Sequence, residues 1–333
     1  MVQKMDPELN LSIIVPVYNC APYLERCFKS LLPLYQSDFC FEVIFVNDGS
    51  TDNSLEILNI IKSNNDNINV ISQENQGSSG ARNAGLEVAK GSFIQFIDSD
   101  DRVDVTTFLR LLTISISNNL DVHSYQLEFQ DEYENSIGKS LIHLLPYNEI
   151  MTGTKALILG YAPSSICIFI FKKSFLIDNN LRITPKIAQM DVEFSVRFLL
   201  IADRVMFSDQ VAYFYIKREG SITRPSSQSQ LYKLHSDSVI VANLIRKNIV
   251  NLKIKEKNTI IAIEKNYNSV VWNLILRFLV NRKEVDSKFK IETLKSLKKQ
   301  ELYPIKGKLK TNFQHLTRIF FNIEWLLKLL LKF

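Results

Sequence analysis

The sequence predicts an α/β fold in which a mostly parallel sheet is flanked by helices and followed by a C-terminal helical extension. Short apolar runs rich in β-branched residues alternate with helix-period segments through about the first hundred residues, as in a βαβ sheet with right-handed crossovers. From Gln230 onward, helical periodicity dominates. The 333 residues are 46% hydrophobic and 23% charged, which excludes disordered and collagen-like chains and allows about two domains.

Four short apolar runs are predicted to form buried parallel strands, because continuous apolar character is typical of strands covered on both faces. These runs are residues 11–17, 41–46, 68–72 and 93–98. Between them, apolar residues at helical spacing predict helices at 23–34, 54–64 and 80–90. Functional side chains are therefore expected at the carboxyl ends of the strands, where open α/β sheets form their ligand crevice.

The second half of the chain has a looser pattern. Helices are predicted at 105–116, 174–179 and 192–202, and strands at 121–129, 166–171, 204–207 and 211–216. A serine-rich stretch at 226–229 is the predicted linker. It separates a domain over 1–225, with halves at 10–103 and 104–225, from an extension over 226–333.

Cysteine usage and hydropathy predict a reduced, intracellular chain. The four cysteines show no C-x-x-C spacing and sit in apolar stretches, which argues against a zinc site and a disulfide scaffold. Residues 1–10 lack the apolar run of a signal peptide, so none is expected. No stretch reaches 18 uncharged apolar residues, so a membrane-spanning helix is not expected either.

Charge is distributed unevenly along the chain. Residues 241–333 contain 20 Lys/Arg and 7 Asp/Glu, whereas residues 1–240 contain 20 and 28. An acidic body with a basic tail is typical of a catalytic or binding domain that carries an electrostatic anchor. A lysine-rich solvated helical surface is the alternative.

Two acidic segments follow predicted strands. Asp98 and Asp100 are two residues apart, so on an extended chain both carboxylates would face one way and suit Mn²⁺ or Mg²⁺ bridged to a diphosphate. Asp48 follows the strand at 41–46 and can accept a hydrogen bond from a nucleobase N–H, while Gly49 allows close backbone approach. The alternatives are an Asp-rich turn at the first segment and, at the second, a helix cap provided by Asp52 or Ser54.

Four segments together resemble the family 2 glycosyltransferases of the GT-A, Rossmann-like fold. They are IIVPVYN at 13–19, VNDGSTD at 46–52, NQGSSGARN at 75–83 and FIDSDD at 96–101. The third is glycine-punctuated but matches neither the Walker A loop nor G-x-G-x-x-G, which removes support for NTP hydrolysis and dinucleotide binding. The resemblance covers about residues 10–225 and implies inverting transfer of a sugar from a nucleotide-diphosphate donor, usually UDP-linked, to an acceptor hydroxyl.

The resemblance also implies site residues and makes 1–225 the catalytic domain, with a nucleotide-binding half at 10–103 and an acceptor half at 104–225. It assigns the metal ion, Mn²⁺ or Mg²⁺, to Asp100. It assigns the nucleotide sugar to Pro16, Tyr18, Asn19, Asp48, Arg82 and Asp98. Asn47 stands where many members of the family have a first Asp.

Inverting transfer needs a general base beside the acceptor, and the resemblance implies that Asp191 is this base. Met190 replaces the Glu that precedes it in the family, and a helix N-cap is the alternative role for Asp191. Residues 213–224 resemble the family's closing loop, in which Arg218 or Arg224 would neutralise the departing diphosphate. An ordinary basic surface loop is the alternative there.

The last residues, 317–333, are predicted to form one amphipathic helix. Glu324, Lys328 and Lys332 form a polar strip, opposite an apolar face of Ile319, Ile323, Leu326, Leu327, Leu330 and Phe333. Basic and apolar faces together suit a helix that lies in an anionic membrane interface. Docking of this helix on its own domain or on a dimer partner is the alternative.

The favoured interpretation is a metal-dependent, inverting glycosyltransferase, a hexosyl- or N-acetylhexosaminyltransferase of polysaccharide or exopolysaccharide biosynthesis. Its expected acceptor is a lipid-linked saccharide, and its expected place is cytoplasmic, peripheral on the inner face of the bacterial cell membrane. A sugar nucleotidyltransferase is one alternative. A non-catalytic partner subunit that retains the fold is the other, motivated by Met190. No nucleic-acid partner is expected, and self-association is left open.

Overall fold

A computed structural model describes residues 9–139, 145–162, 165–217, 227–281 and 284–332. These residues form two compact units. The first contains the described parts of Met1–Gly153, Ser164–Lys186 and Ala202–Arg218. The second contains those of Thr154–Pro163, Ile187–Ile201 and Glu219–Phe333.

The first unit is built on parallel strands, as the sequence predicts. Strand β1 (Leu11–Val17) lies between β2 (Phe41–Asn47) and β4 (Phe93–Phe96), and β3 (Ile68–Ser72) pairs with the far edge of β2. Every residue of β1, β2 and β4 is buried. That explains why these strands are continuous apolar runs instead of alternating ones.

Helices connect these strands. They are α1 (Ala21–Leu31), α2 (Ser54–Ser63) and α3 (Gly77–Val88), with a 3₁₀ turn at Leu32–Gln36 after α1. Helix α3 packs on β1 and β2, and Gly85 is the point of close approach, because a Cβ there would overlap Ile14 Cγ2. Close packing of α3 holds its first turn near the carboxyl ends of the strands.

The rest of the sheet is mixed. Within the described residues it contains nine strands in the order β3-β2-β1-β4-β8-β6-β9-β5, with β7 beside β6. The added strands are β5 (Arg102–Val103), β6 (Val122–Gln130), β7 (Ser136–Lys139), β8 (Phe169–Lys172) and β9 (Val205–Ile216). The helices between them in sequence are α4 (Val105–Ser117), α5 (Gly153–Leu159) and α6 (Lys173–Asp178), of which α5 belongs, apart from Gly153, to the second unit. Strand β9 runs parallel to β6, whereas β8 is antiparallel to both β4 and β6. The predicted α/β sheet flanked by helices is confirmed. Strands β1–β4 are parallel, whereas the sheet as a whole has four parallel and four antiparallel pairings within the described residues.

Two strand predictions are wrong in detail. The strands predicted at 204–207 and 211–216 are one strand, β9, which continues through polar residues because Ser208 is fully buried and hydrogen-bonded to Asn148 Oδ1 (3.0 Å). The first half of the strand predicted at 166–171 is a 3₁₀ turn, Ile166–Ile168, capped by the Ser165 side chain. Strands β5 and β7 and helix α5 are not among the sequence predictions.

The second unit is helical. Its elements after α6 are α7 (Met190–Leu199), α8 (Gln228–Asn251), α9 (Lys257–Val280), α10 (Ser287–Lys299), α11 (Asn312–Phe321) and α12 (Glu324–Lys332). Part of the predicted linker at 226–229 instead starts α8, because Ser227 Oγ accepts from the Gln230 N–H (3.3 Å) and caps the helix. None of the helices in the described part of the chain is long and apolar enough to cross a membrane.

The predicted single helix at 317–333 is two helices. Helix α11 ends at Phe321, and Asn322 turns away to exchange hydrogen bonds with the Ile305 backbone, at 2.9 Å in each direction. Helix α12 then starts at Glu324. The break changes which side chains of this segment share a face.

His123 of β6 gives the first unit a pH dependence. The ring is fully buried, with Nδ1 2.9 Å from Ser115 Oγ and Nε2 2.9 Å from Ser208 Oγ. Burial lowers its pKa to about 4, against about 6.5 in an unfolded chain. The unfolded state therefore binds the extra proton between these values. Stability from this residue is complete above pH 6.5 and is lost as the pH falls towards 4.

On unfolding between pH 6.5 and 4.5, we expect His123→Gln to take up about one proton fewer than the wild type. The wild-type residue contributes on the order of 3 kcal/mol of pH-dependent free energy of unfolding. Urea unfolding followed by circular dichroism over this range measures the slope. Ser115→Ala, which keeps the ring, is the control and should lower stability without removing the slope. An unchanged slope in His123→Gln would contradict the assignment.

Candidate functional site

The carboxyl ends of β1, β2 and β4 carry the predicted donor-binding segments. The three strands are adjacent and parallel, so their ends lie on one edge of the sheet. Pro16 is buried within β1, and Tyr18 just beyond the strand is 49% exposed. An exposed ring at this edge is available to stack on a planar ligand.

Asn19 joins the ends of β1 and β2. It has a left-handed backbone (φ 50°), and its Oδ1 accepts from the Thr51 N–H (2.8 Å) while its own N–H donates to Ser50 Oγ (3.1 Å). Asp52 accepts from the Ala21 and Ser54 N–H groups at 3.1 and 3.0 Å. These bonds fix the two loops relative to each other.

The alternative in which Asp52 or Ser54 is the N-cap of α2 is wrong. The N-cap position is Asn53, which makes no side-chain capping bond. Ser54 is already the first residue of α2, and its hydroxyl accepts from the Cys20 N–H (2.9 Å). Both side chains therefore serve the contact between the loops that follow β1 and β2.

Asp48, at the end of β2, is 1% exposed. Its Oδ1 accepts from Gln73 Nε2 (2.7 Å) and from the Gln76 N–H (2.8 Å). Its Oδ2 has no hydrogen-bond partner among the described residues. A buried carboxylate oxygen without a donor is costly, so this atom is suited to a ligand N–H.

Gln73 and Gln76 are site residues that the sequence analysis did not select. Both lie between β3 and α3, directly after a predicted strand, and that position was the available signal. Gly49 is needed beside them, because its φ is +74° and a Cβ there would lie 3.0 Å from the Asn75 backbone nitrogen.

The Asp98–Asp101 segment is a turn and not an extended chain. Strand β4 ends at Phe96, and the Asp101 N–H donates to the Asp98 carbonyl oxygen (3.1 Å). The prediction that Asp98 and Asp100 face one way on an extended chain is therefore wrong. The Asp98 carboxylate pairs instead with Arg82 of α3, whose side chain is 3% exposed.

Asp101 is the buried residue of this turn, at 1% exposure. Its Oδ2 accepts from the Tyr213 hydroxyl (2.7 Å), its Oδ1 accepts from the Ile216 N–H (2.8 Å), and the same Tyr213 oxygen accepts from the Asp98 N–H (3.1 Å). Burial raises the pKa of the Asp101 carboxyl well above its usual range, and the charges of Asp100 and Asp98 raise it further. Strand β9 thus holds the acidic turn. Nothing in the sequence around Tyr213 indicated this role.

Asp100 lies in the same turn and is partly exposed, and its carbonyl oxygen accepts from Arg26 Nη2 (3.0 Å). No group of three or more His, Cys, Asp or Glu side chains in the described ranges could hold a metal ion. One carboxylate still fits Mg²⁺ or Mn²⁺ in a site where substrate phosphate oxygens supply other ligands. The turn therefore fits a metal that binds together with a diphosphate, and Asp100 is the carboxylate that would hold it.

Asp191 belongs to the second unit, in the first turn of α7, and is partly exposed. The N-cap is Gln189, which makes no capping bond, so the N-cap alternative for Asp191 is wrong. Glu193 is 2% exposed and pairs with Arg197 one turn later (2.7 Å). Met190 is buried, at 8% exposure.

The loop before α7 is tied to α8. The Ala188 N–H donates to Asp237 Oδ2 (2.8 Å), and Gln189 Nε2 donates to Ser238 Oγ (2.9 Å). Asp237 also pairs with Lys233 (2.7 Å). These contacts fix the backbone that leads into Asp191. Arg218 and Arg224, the predicted loop cations, lie outside the described residues.

Comparison with known proteins identifies the family. Residues 12–175 match Glycosyl transferase family 2. Glycosyltransferase GlyG of Streptococcus pneumoniae is 31% identical over 226 residues, 64% of this chain and 73% of that protein. YibD of Escherichia coli is 28% identical over 66% of this chain and 65% of that protein. The poly(ribitol-phosphate) beta-glucosyltransferase of Bacillus spizizenii is 31% identical over 64% of this chain but only 33% of that protein.

Solved structures share the fold. Staphylococcus aureus TarS in complex with UDP-GlcNAc has a TM-score of 0.54 at 21% identity, over 88% of this chain and 90% of that chain. Mannosyltransferase PcManGT from Pyrobaculum calidifontis in complex with GDP-Man and Mn²⁺ has a TM-score of 0.52 at 12% identity, over 94% and 87%. The expected GT-A fold is thereby confirmed. The fold, the matched residues and the likeness to GlyG together show that this chain belongs to the family 2 glycosyltransferases.

Proposed function

We propose that the protein transfers a sugar, with inversion, from a nucleotide-diphosphate donor to a hydroxyl of a lipid-linked saccharide in polysaccharide biosynthesis. The observation that carries this proposal is the shared sheet edge, where Asp48 follows β2 and the Asp98–Asp101 turn follows β4, on either side of the Tyr18–Asn19 end of β1. The donor class is supported by the UDP-GlcNAc and GDP-Man that the similar structures are described as binding. A UDP-sugar is the favoured donor.

Each residue of the edge has a proposed task. Tyr18 and Pro16 border the base, and Asp48 Oδ2 accepts from a base N–H. Arg82, paired with Asp98, helps to hold the nucleotide side of the donor. Asp98 reaches the ribose or the sugar. Asp100 would hold Mn²⁺ or Mg²⁺, which supplies positive charge that stabilises the departing diphosphate. Arg218 and Arg224 are proposed to add to that charge.

Asp191 is the proposed general base. As the acceptor oxygen bonds to the anomeric carbon and the bond from that carbon to the diphosphate oxygen breaks, Asp191 takes the hydroxyl proton. Glu193 is the other carboxylate of the turn, but it is buried and paired with Arg197. The pairing leaves Asp191 as the better base, and the Asp237 and Ser238 contacts support its position.

The acceptor is proposed to be presented at the inner face of the bacterial cell membrane. One relative is named poly(ribitol-phosphate) beta-glucosyltransferase. The basic C-terminal region of this chain suits an anionic membrane. The alternative is a non-catalytic partner subunit that retains the fold. Measurement of sugar transfer by the wild type and by Asp191→Asn distinguishes the two.

Donor class is tested by thermal unfolding with UDP- and GDP-sugars, with and without Mn²⁺. A ligand at 100 times its Kd adds about 2.7 kcal/mol to the free energy of unfolding, so UDP-sugars with Mn²⁺ should raise the Tm. Asp100→Asn should lose the Mn²⁺-dependent part of the rise. Asp178→Asn, at the exposed end of α6, is the control and should keep it. Stabilisation by GDP-sugars alone would contradict the UDP assignment.

Asp191→Asn should bind the donor as the wild type does and lose at least about a hundredfold in kcat, since general base catalysis contributes 10²–10⁴-fold. Transfer to an acceptor is measured by release of the nucleoside diphosphate. Normal turnover by Asp191→Asn would refute the base assignment. Wild-type protein that binds donors but transfers to no acceptor would favour the partner-subunit alternative.

Tyr213→Phe should weaken donor binding by loosening the Asp98–Asp101 turn, because it removes one bond donated to Asp101 and one accepted from the Asp98 N–H. Tyr125→Phe is a matched control, since that buried hydroxyl donates to the Cys167 carbonyl oxygen (3.0 Å). Each substitution should cost about 1–2 kcal/mol of stability. Calorimetric titration with UDP and Mn²⁺ should show weaker binding only in Tyr213→Phe. Equal affinities of Tyr213→Phe and the wild type for UDP would contradict the role of Tyr213 in positioning the Asp98–Asp101 turn.

A further inference from the structure

Helix α11 turns its apolar side outward. Its most exposed large side chains are all apolar: Phe313 (61%), Leu316 (62%), Ile319 (59%) and Phe320 (54%). The inward side buries Gln314 and Phe321. Helices on the surface of a globular domain normally show the opposite arrangement, with apolar residues inward and polar residues outward.

Helix α12 repeats the arrangement. Trp325 (70%), Leu329 (46%) and Leu330 (44%) are exposed, whereas Leu327 and Leu331 are buried. Helical periodicity predicts that Leu327 and Leu330 share one face. The structure separates them, because only part of the helix is used for packing within its own unit.

The polar strip predicted for this segment is also turned differently. Glu324 pairs with Lys298 of α10 (2.5 Å) and with Lys328 of α12 (2.7 Å). The Lys298–Glu324 pair joins the start of α12 to α10, and the Glu324–Lys328 pair lies within α12. Trp325 and Leu329 are therefore exposed on α12 together with Lys328.

Basic side chains accompany these exposed apolar residues. Residues 286–333 contain eleven Lys/Arg and four Asp/Glu, and Glu324 is already paired with two of the lysines. Exposed lysines among the described residues of the segment are Lys288, Lys295, Lys298, Lys299, Lys306, Lys308 and Lys328. Apolar and aromatic side chains with nearby lysines are the composition of an interfacial membrane surface, since aromatic rings favour the headgroup level and lysines attract anionic lipids.

We propose that the seven exposed apolar side chains of α11 and α12 form a docking surface for the face of an anionic phospholipid bilayer. The docking surface is Phe313, Leu316, Ile319, Phe320, Trp325, Leu329 and Leu330. Its charge favours lipid over a second copy of this basic segment, because two such segments would repel each other. This inference names the residues that would contact the membrane of the proposed function. It rests on the proposed function only in the reason for docking, which is access to a lipid-linked acceptor.

Sedimentation of the full chain with vesicles tests the docking surface. We expect binding to vesicles of phosphatidylcholine containing phosphatidylglycerol, little binding to phosphatidylcholine alone, and release by salt. Leu316→Ser/Trp325→Ser should reduce the bound fraction at least tenfold. Ile60→Ser/Val250→Ser removes two apolar side chains that are 57% and 76% exposed elsewhere, and this control should bind as the wild type does.

Tryptophan fluorescence gives a second measurement. Trp325 is 70% exposed while Trp272 is 5% exposed, so phosphatidylglycerol vesicles should shift the emission to shorter wavelength through Trp325. Trp325→Phe should abolish the shift. Equal vesicle binding by Leu316→Ser/Trp325→Ser and the wild type would overturn the proposal. The proposal would also be overturned if the wild type were a dimer in sedimentation velocity and Leu316→Ser/Trp325→Ser were a monomer, because the surface would then bind a second copy.

Failure here is distinguishable from failure of the proposed function. Leu316→Ser/Trp325→Ser should retain the donor-induced rise in Tm and transfer to a water-soluble acceptor analogue. Loss of vesicle binding with both retained supports the docking surface. If the wild type binds vesicles but neither binds donors nor transfers a sugar, the docking surface is supported and the proposed reaction is overturned.

Discussion

The buried carboxylate of Asp101 is the constraint on which the geometry of the proposed donor site depends. It joins the turn after β4 to strand β9 through Tyr213 and the Ile216 N–H. A carboxylate at this depth is tolerated only when its oxygens are satisfied, and both accept a hydrogen bond here. The turn is thus set by a strand more than a hundred residues away, and the placement of Asp98 and Asp100 follows from that of Asp101.

Much of the sheet was predictable because a strand that is buried on both faces is a continuous run of apolar residues in the sequence. The run LSIIVPV predicts β1 with its exact bounds, and the predicted helix at 54–64 differs from α2 by one residue. The positions of Asp48 and Asp98 at one edge followed from the rule that parallel strands end together. The family followed from four short segments, and the comparisons confirm it.

What the sequence could not reveal were contacts between distant segments. Ser208 interrupts an apolar pattern, yet β9 continues because the hydroxyl finds partners in His123 and Asn148. Gln73 and Gln76 hold Asp48 only because the chain after β3 turns back over the end of β2. Helix α12 buries Leu327 and Leu331 and pairs Glu324 with Lys298, 26 residues earlier, and helical periodicity alone cannot specify these contacts.

The contacts of Asp237 and Ser238 with the loop before α7 make α8 structurally inseparable from the residues that lead into Asp191. The C-terminal region is consequently more than an appendage to a catalytic body. Exchange of this region between relatives would also exchange the residues that hold the loop before α7, along with the lysines. Chimeras designed to alter cellular targeting would have to retain α8 from the parent that supplies α7.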